Sequence, residues 1–286
     1  MDGILLVNKE SNCTSRDVVN TLCKHFNTKK IGHTGTLDPI ATGVLVVCIN
    51  SCTKLVELLT STYKEYEAEL IFGIKTDTYD ITGNILEEKD SIIDEKNIID
   101  ALNKMKGKYI QEVPIYSAVK VNGKKLYEYA RNNINIELPK REVDIKELEL
   151  LSIRYENNKT IIKIKTLVSK GTYIRSLIND IASSLNTIAC MSKLNRTKQG
   201  NFDIKDSYKL DDILNGNYKL LSKEDVLKNY KTIDVDDSLY NKITNGCIID
   251  NIYDSDIVVF KYNNKVIAIY KEYIKDKNKI KPFKMF

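Results

Sequence analysis

Twelve residues near the amino terminus, Gly32-His33-Thr34-Gly35-Thr36-Leu37-Asp38-Pro39-Ile40-Ala41-Thr42-Gly43, hold three glycines, three threonines and one carboxylate. Glycines at this density let a backbone approach a ligand closely. Pro39 restricts the preceding Asp38 to an extended backbone. A carboxylate on a stiff loop can serve as a nucleophile or a base, or simply close an Asp-Pro turn onto a strand. No Gly-Lys-Ser/Thr follows, so the segment is not a P-loop. No second acid stands out as the partner a glycosidase needs. A second cluster, Ser169-Lys170-Gly171-Thr172-Tyr173-Ile174-Arg175, delivers a tyrosine and an arginine at a strand-to-helix junction. Arg175 could pair with a buried carboxylate and keep it ionised, or be a helix N-terminal arginine that faces solvent. In Lys64-Glu65-Tyr66-Glu67-Ala68, Tyr66 begins the apolar face of a strand. Its ring is either core or a platform for stacking a base.

These residues need elements to position them. Gly3 to Val7 reads as a short buried strand, and Thr14 or Ser15 caps a helix through Val18, Val19, Leu22 and Phe26. Val44 to Ile49 reads as a buried strand. Tyr66, Ala68, Leu70 and Phe72 alternate with Glu65, Glu67 and Glu69, which is the period of a half-buried strand. The spacing of Ile98, Ile99, Leu102 and Met105 predicts a helix over 92–105. Residues 110–142, with Pro114, Asn122-Gly123 and Pro139, read as a long, partly mobile, functional loop. Ile162, Ile164, Thr166 and Val168 mark another strand. Gly171 breaks it, and a helix follows through Ile174, Leu177, Ile178, Ile181 and Leu185. Beyond residue 230, Asn263-Asn264 between two apolar runs signals a hairpin in a small β-rich unit that docks on the rest.

A chain of 286 residues suits one large domain and one small one. No apolar run approaches a membrane span, and the short run after Asp2 is no signal peptide, so a cytoplasmic protein is expected. The six cysteines contain no C-x-x-C pair and there are two histidines. A zinc site is therefore not expected, and scattered buried thiols are. The net charge is +5, and its distribution says more. Six lysines lie between Tyr270 and Phe286, beside Tyr270 and Tyr273. A second basic stretch runs through Lys120, Lys124, Lys125, Arg131, Lys140 and Arg141. Basic clusters interleaved with tyrosine suit a phosphate backbone, and equally a solvated face.

Taken in order, these motifs resemble the TruB family of bacterial tRNA pseudouridine synthases. Gly3 to Lys9 resembles the family's opening strand, and Gly32 to Leu45 its catalytic loop nearly residue for residue. Thr76 to Asp80 with Gly83, Tyr116 to Lys120, Gly123 to Arg131 and Ser169 to Arg175 follow in the family's order. The resemblance is strong over residues 3–200 and weak beyond. It implies an α+β fold: a mixed, mainly antiparallel sheet with flanking helices. It also implies a catalytic domain at 1–230 with a thumb-like RNA-binding insertion at about 110–142, and a reduced PUA-like domain at 231–286.

On the same resemblance, Asp38 matches the essential aspartate. Tyr66 matches the tyrosine that stacks on the target uracil and is a candidate proton acceptor. Arg175 matches the arginine that pairs with the aspartate. His33 matches the histidine that contacts the flipped-out nucleotide, and Tyr173 a tyrosine at the site. Lys54 matches a lysine near the site and Leu194 an apolar wall, while Lys120, Lys124, Lys125 and Arg131 fall in the RNA-clamping insertion. Met191 to Arg196 departs from the family's richer Leu-Arg-Arg run, which puts phosphate contacts there in question. The implied reaction converts uridine to pseudouridine at position 55 of the tRNA T loop, with no cofactor or metal. The implied partner is the T arm of tRNA, with no membrane and no obligate protein partner, acting as a monomer. An inactive RNA-binding protein or a nucleotide hydrolase are the rival classes. The first would lack Asp38 or Arg175, and the second would want another carboxylate.

Overall fold

The computed structural model describes residues 1–286. Its centre is a nine-stranded sheet. Along the main path the order is Gly3–Lys9, Thr42–Ile49, Ala189–Gln199, Lys64–Phe72, Lys159–Val168, Lys140–Glu156 and Gly107–Glu112. Ile31–His33 pairs with Thr42–Ile49, and Phe202–Asp203 with Ala189–Gln199. One contact is parallel, Asn195 opposite Thr42 and Arg196 opposite Gly43; the other pairs are antiparallel. Gly43, at φ +108°, has no room for a Cβ, which would collide with the Arg196 backbone. That crossing brings the glycine-rich loop over the middle of the sheet.

Most expected elements are present. The helix Ser15–His25 begins with Thr14 and Asp17 in a reciprocal capping box and buries Val18, Val19 and Leu22. The Lys64–Phe72 strand turns Tyr66, Ala68, Leu70 and Phe72 into the core. The helix Ile174–Ser184 packs Leu177, Ile178 and Ile181 on the same core.

Three expectations are corrected. The helix expected over 92–105 spans Glu95–Lys104, because Asp94 accepts the Asn97 amide as its cap, and Ile99 is 41% exposed. Residues 110–142 are not a continuous loop. The strand Gly107–Glu112 runs into them, Lys120–Val121 and Lys124–Lys125 form a hairpin about Asn122-Gly123, and Leu126–Arg131 is a short helix anchored by buried Leu126. Tyr270 is fully buried and donates its hydroxyl to the Cys247 carbonyl at 3.0 Å, so it cannot touch RNA beside the tail lysines. Among the cysteines, 48, 52 and 190 are buried as expected, whereas Cys247 is exposed.

The carboxyl-terminal strands form a second, five-stranded sheet in the order Lys231–Asp234, Ile257–Tyr262, Lys265–Tyr273, Asp276–Met285, Ile249–Asp250. One face builds its own core around Ile243, Phe260 and Tyr270. From the other, Val259, Val266 and Ile269 pack with Ile4, Leu6, Val44 and Val46 of the main sheet. No helix is long and apolar enough to cross a membrane.

Candidate active site

The glycine-rich loop is held from beneath by side chains distant in sequence. Ser15 accepts the Leu37 amide at 2.9 Å. The Lys9 ammonium donates to the Pro39 and Ala41 carbonyls at 3.3 and 2.7 Å. Asp38 thus sits between two gripped neighbours. Fully buried Arg196 donates to Val44 O at 2.8 Å and Gly35 O at 3.1 Å, and the Gln199 amide donates to Thr34 Oγ1 and Leu59 O. Burial pushes the Lys9 pKa down and brings that of Lys64, which donates to Thr60 O and Thr62 O, to about 8. Cations this deep are tolerated because backbone carbonyls accept hydrogen bonds from them.

Above the loop lies a cleft of about 700 Å³, lined among others by Asp38, Tyr66, Tyr173, Arg175 and Leu194. Arg175 is 5% exposed. It meets Asp38 with two nitrogens, Nε at 3.0 Å from Oδ2 and Nη2 at 3.2 Å from Oδ1. This planar, two-point contact fixes the carboxylate's orientation as well as its charge. The remaining donors reach Thr78 O and Tyr116 O, both at 3.0 Å. Asp80 stands 3.8 Å from Nη1 and is itself held by Thr78 and Thr82. The Ser117 hydroxyl also lines the cleft, buried and without a partner, so it has a donor and an acceptor free for a ligand.

The strand before the insertion positions the other wall. Gln111, 1% exposed, accepts the Tyr173 amide at 2.8 Å and donates to the Tyr173 carbonyl at 3.2 Å. The Ser176 hydroxyl donates to Glu112 O at 2.9 Å. The start of the Ile174–Ser184 helix, and with it Arg175, is therefore fastened to the root of the insertion.

Of the residues expected from sequence, Asp38, Tyr66, Tyr173, Arg175, Leu194 and Arg131 line this one cleft. His33 lies at the start of the loop, outside the lining. Its Nδ1 accepts the Gly35 amide, and burial pushes its pKa down, with Arg16 and Arg196 adding to the effect. Lys120, Lys124 and Lys125 lie on the hairpin beside the cleft, and the Lys125 ammonium donates to the Tyr127 hydroxyl at 3.1 Å. Lys54 does not line the cleft. It donates to Met285 O at 2.6 Å and faces the Phe286 ring, because the last strand docks against its helix. The residues that sequence reasoning missed are Asp80, Gln111, Ser15, Arg196 and Gln199. Asp80, as the end of the Thr76 to Asp80 motif, and Arg196, as the end of the Met191 to Arg196 run, had a signal. A second cavity of about 710 Å³, between Leu6, Phe202, Tyr208 and Tyr230, contains none of the expected residues.

Residues 23–174 match the model of the TruB family pseudouridylate synthase N-terminal domain. A tRNA pseudouridine synthase B of Clostridium tetani is 40% identical, over 94% of this chain and 95% of its own. One of Staphylococcus saprophyticus is 43% identical, over 100% and 99%. Among solved structures, a Cbf5-Nop10-Gar1 complex superposes with TM-score 0.72 at 25% identity, covering 94% of this chain and 78% of the other. An H/ACA ribonucleoprotein with substrate RNA superposes at 0.70 and 23% identity, covering 94% and 77%.

Proposed function

This chain belongs to the TruB family of pseudouridylate synthases, and on that premise we propose that it isomerises the uridine at position 55 in the T loop of tRNA, with Asp38 as the essential group. That it is a tRNA pseudouridine synthase follows from full-length relatives of that name. The observation that supports the site is the two-nitrogen grip of Arg175 on Asp38 at the floor of a cleft walled by Tyr66 and Tyr173.

The uridine must leave its stack to reach that floor, at a cost of about a few kcal/mol. The basic hairpin and helix at 120–131 clamp the loop while this happens. The C1′–N1 bond then breaks, uracil rotates, and a C1′–C5 bond forms. The proton on C5 is lost and N1 gains one, so atoms balance without redox or hydrolysis. Asp38 acts by attack at C1′, by attack at C6, or by taking the 2′ proton. Tyr66 stacks on the base, and its hydroxyl oxygen takes up the C5 proton as the hydroxyl passes its own proton to solvent. Residues 1–230 form the catalytic unit, and 231–286 a reduced PUA-like unit that binds RNA outside the T loop.

Tritium release from tRNA carrying [5-³H]uridine tests the reading, because the isomerase expels that hydrogen and neither rival class does. Wild type should release it, with pseudouridine mapping to position 55. Asp38→Asn should release none while tRNA affinity stays within about tenfold, since binding rests on many phosphate contacts. A rival hydrolase or inactive RNA binder releases no tritium, and that result with folded wild type would overturn the proposal.

A further inference from the structure

The sequence groups Arg141 with its neighbours as general basic surface, but the structure sets it apart. Arg141 lies directly opposite Gln111 where Lys140–Glu156 pairs with Gly107–Glu112. Directly paired residues share a face of the sheet, and here both reach Tyr173. Gln111 holds the Tyr173 backbone. The Arg141 guanidinium lies over the Tyr173 ring, 5.5 Å from its centre. Tyr173 lines the cleft.

Two features mark this guanidinium as built to receive a ligand. First, it is half-buried yet has no hydrogen bond and no carboxylate within 4 Å, whereas Arg154, Arg175 and Arg196 are engaged and the other unpaired arginines, Arg16 and Arg131, are exposed. Stacking on a ring occupies the face of a guanidinium and leaves the N–H groups at its edge free. Second, room for it is made by Gly171, at φ +88°, where a Cβ would stand 3.1 Å from an Arg141 terminal nitrogen. The adjacent Lys170 is exposed and also unpaired. A guanidinium that lies over an aromatic ring of the cleft wall and is not neutralised, with an exposed lysine next in sequence to the glycine beside it, fits an anion.

We propose that Arg141, stacked on Tyr173 and joined by Lys170, is a phosphodiester-binding site that takes one backbone phosphate next to the flipped nucleotide. The proposal rests on the RNA-modifying role argued above and adds the linkage-specific contact. It ties the ribose of the target to the same ring and strand that hold Arg175, so seating the strand and aligning the carboxylate's partner use one scaffold.

The test is a T-arm stem-loop RNA carrying a single neutral methylphosphonate at each loop linkage in turn, assayed for affinity and single-turnover rate. For wild type, one linkage flanking the target should weaken binding about ten- to a hundredfold when neutralised, the value of a charge-assisted contact. Arg141→Gln, with unchanged melting temperature, should bind unmodified RNA more weakly by the same factor and be insensitive at that linkage. Its salt slope should be shallower by about 0.7, one single-strand contact. Arg141→Lys should not restore the wild-type rate, because an ammonium provides neither the fork nor the stack. If Arg141→Gln fails to fold, the exposed Lys170→Gln should show a partial loss at the same linkage. Full wild-type sensitivity at every linkage in the folded variant tested, Arg141→Gln or Lys170→Gln, overturns the proposal. Wild type that binds the RNA without isomerising it would instead overturn the assigned reaction, and the affinity scan would still decide Arg141.

Discussion

Replacing Arg175 by lysine separates charge from geometry at the floor of the cleft. The side chain is 6% exposed, and its nitrogens contact both Asp38 oxygens, Thr78 O and Tyr116 O between 3.0 and 3.2 Å. Lysine keeps the positive charge but gathers its donors on one nitrogen, which cannot bracket a carboxylate and reach two carbonyls on opposite sides. At least two of these contacts are lost, and the Thr78 and Tyr116 carbonyls compete for what remains. A hydrogen bond to a charged group is worth about 1.5–3 kcal/mol. Only the part that orients Asp38 enters the chemical step, where a misplacement near 1 Å costs about a hundredfold. Arg175→Lys should therefore lower the single-turnover rate about 10²–10³-fold and destabilise the fold by about 2–4 kcal/mol. RNA affinity should change less than about threefold, because the group lies beneath the surface that phosphates reach. Tritium release at saturating enzyme, filter binding and thermal unfolding give the three readings. A folded variant within fivefold of the wild-type rate would refute the argument that geometry, not charge, is what Arg175 supplies. So would a rate loss that rising enzyme concentration abolishes.

Tyr66→Phe keeps the ring and removes the hydroxyl. Single-turnover rate should fall by about the 10²–10⁴ of general acid–base work with affinity nearly unchanged, and a rate within fivefold of wild type would leave Tyr66 a stacking residue only. Deleting 231–286 should yield aggregated or strongly destabilised protein, not a soluble weak binder, because it strips Val259, Val266 and Ile269 from the core shared with Ile4, Leu6, Val44 and Val46; a monomeric truncation with an unchanged melting temperature contradicts this. Lys64 gives a pH signature. Burial takes its pKa from 10.5 to about 8, so between these values the unfolded chain binds the proton and the native state does not. Unfolding free energy then rises with pH across that window and the gain is lost as pH falls through about 8. Urea unfolding at pH 7.5 and 10 should show wild type gaining about 2–3 kcal/mol relative to Lys64→Met, and parallel pH slopes would contradict the assignment.

What the sequence conveyed and what it hid divide along a physical line. Periodicity reports which face of an element is buried, so the strand through Tyr66 and the helices through Leu22 and Leu177 were readable. So was the loop that presents Asp38, since its glycines and proline restrict the chain locally. The insertion at 110–142 was misread because its strand, hairpin and helix are each too short to show a period and are anchored by single residues such as Leu126. Lys54 shows a different failure. Its motif was readable, but its place is decided by a strand more than two hundred residues later that docks against it. The supports of the loop were invisible for a third reason. Lys9, Ser15, Arg196 and Gln199 act through backbone carbonyls and amides, which carry no side-chain signature, so no spacing in the sequence points from one partner to the other. The tail joins these points. In the Lys265–Tyr273 strand, Tyr270 turns inward and Lys271 outward, where its ammonium lies over Phe283. A period of two places cation and aromatic side by side in the sequence and on opposite faces in space. An interleaved Lys–Tyr run is therefore a nucleic-acid surface only where the rings share the cations' face. Within the tail that condition fails at Tyr270 and is met where Lys281 lies over the Tyr273 ring; it is met again at Arg141 and Tyr173, which lie far apart in the chain and are brought face to face by the sheet.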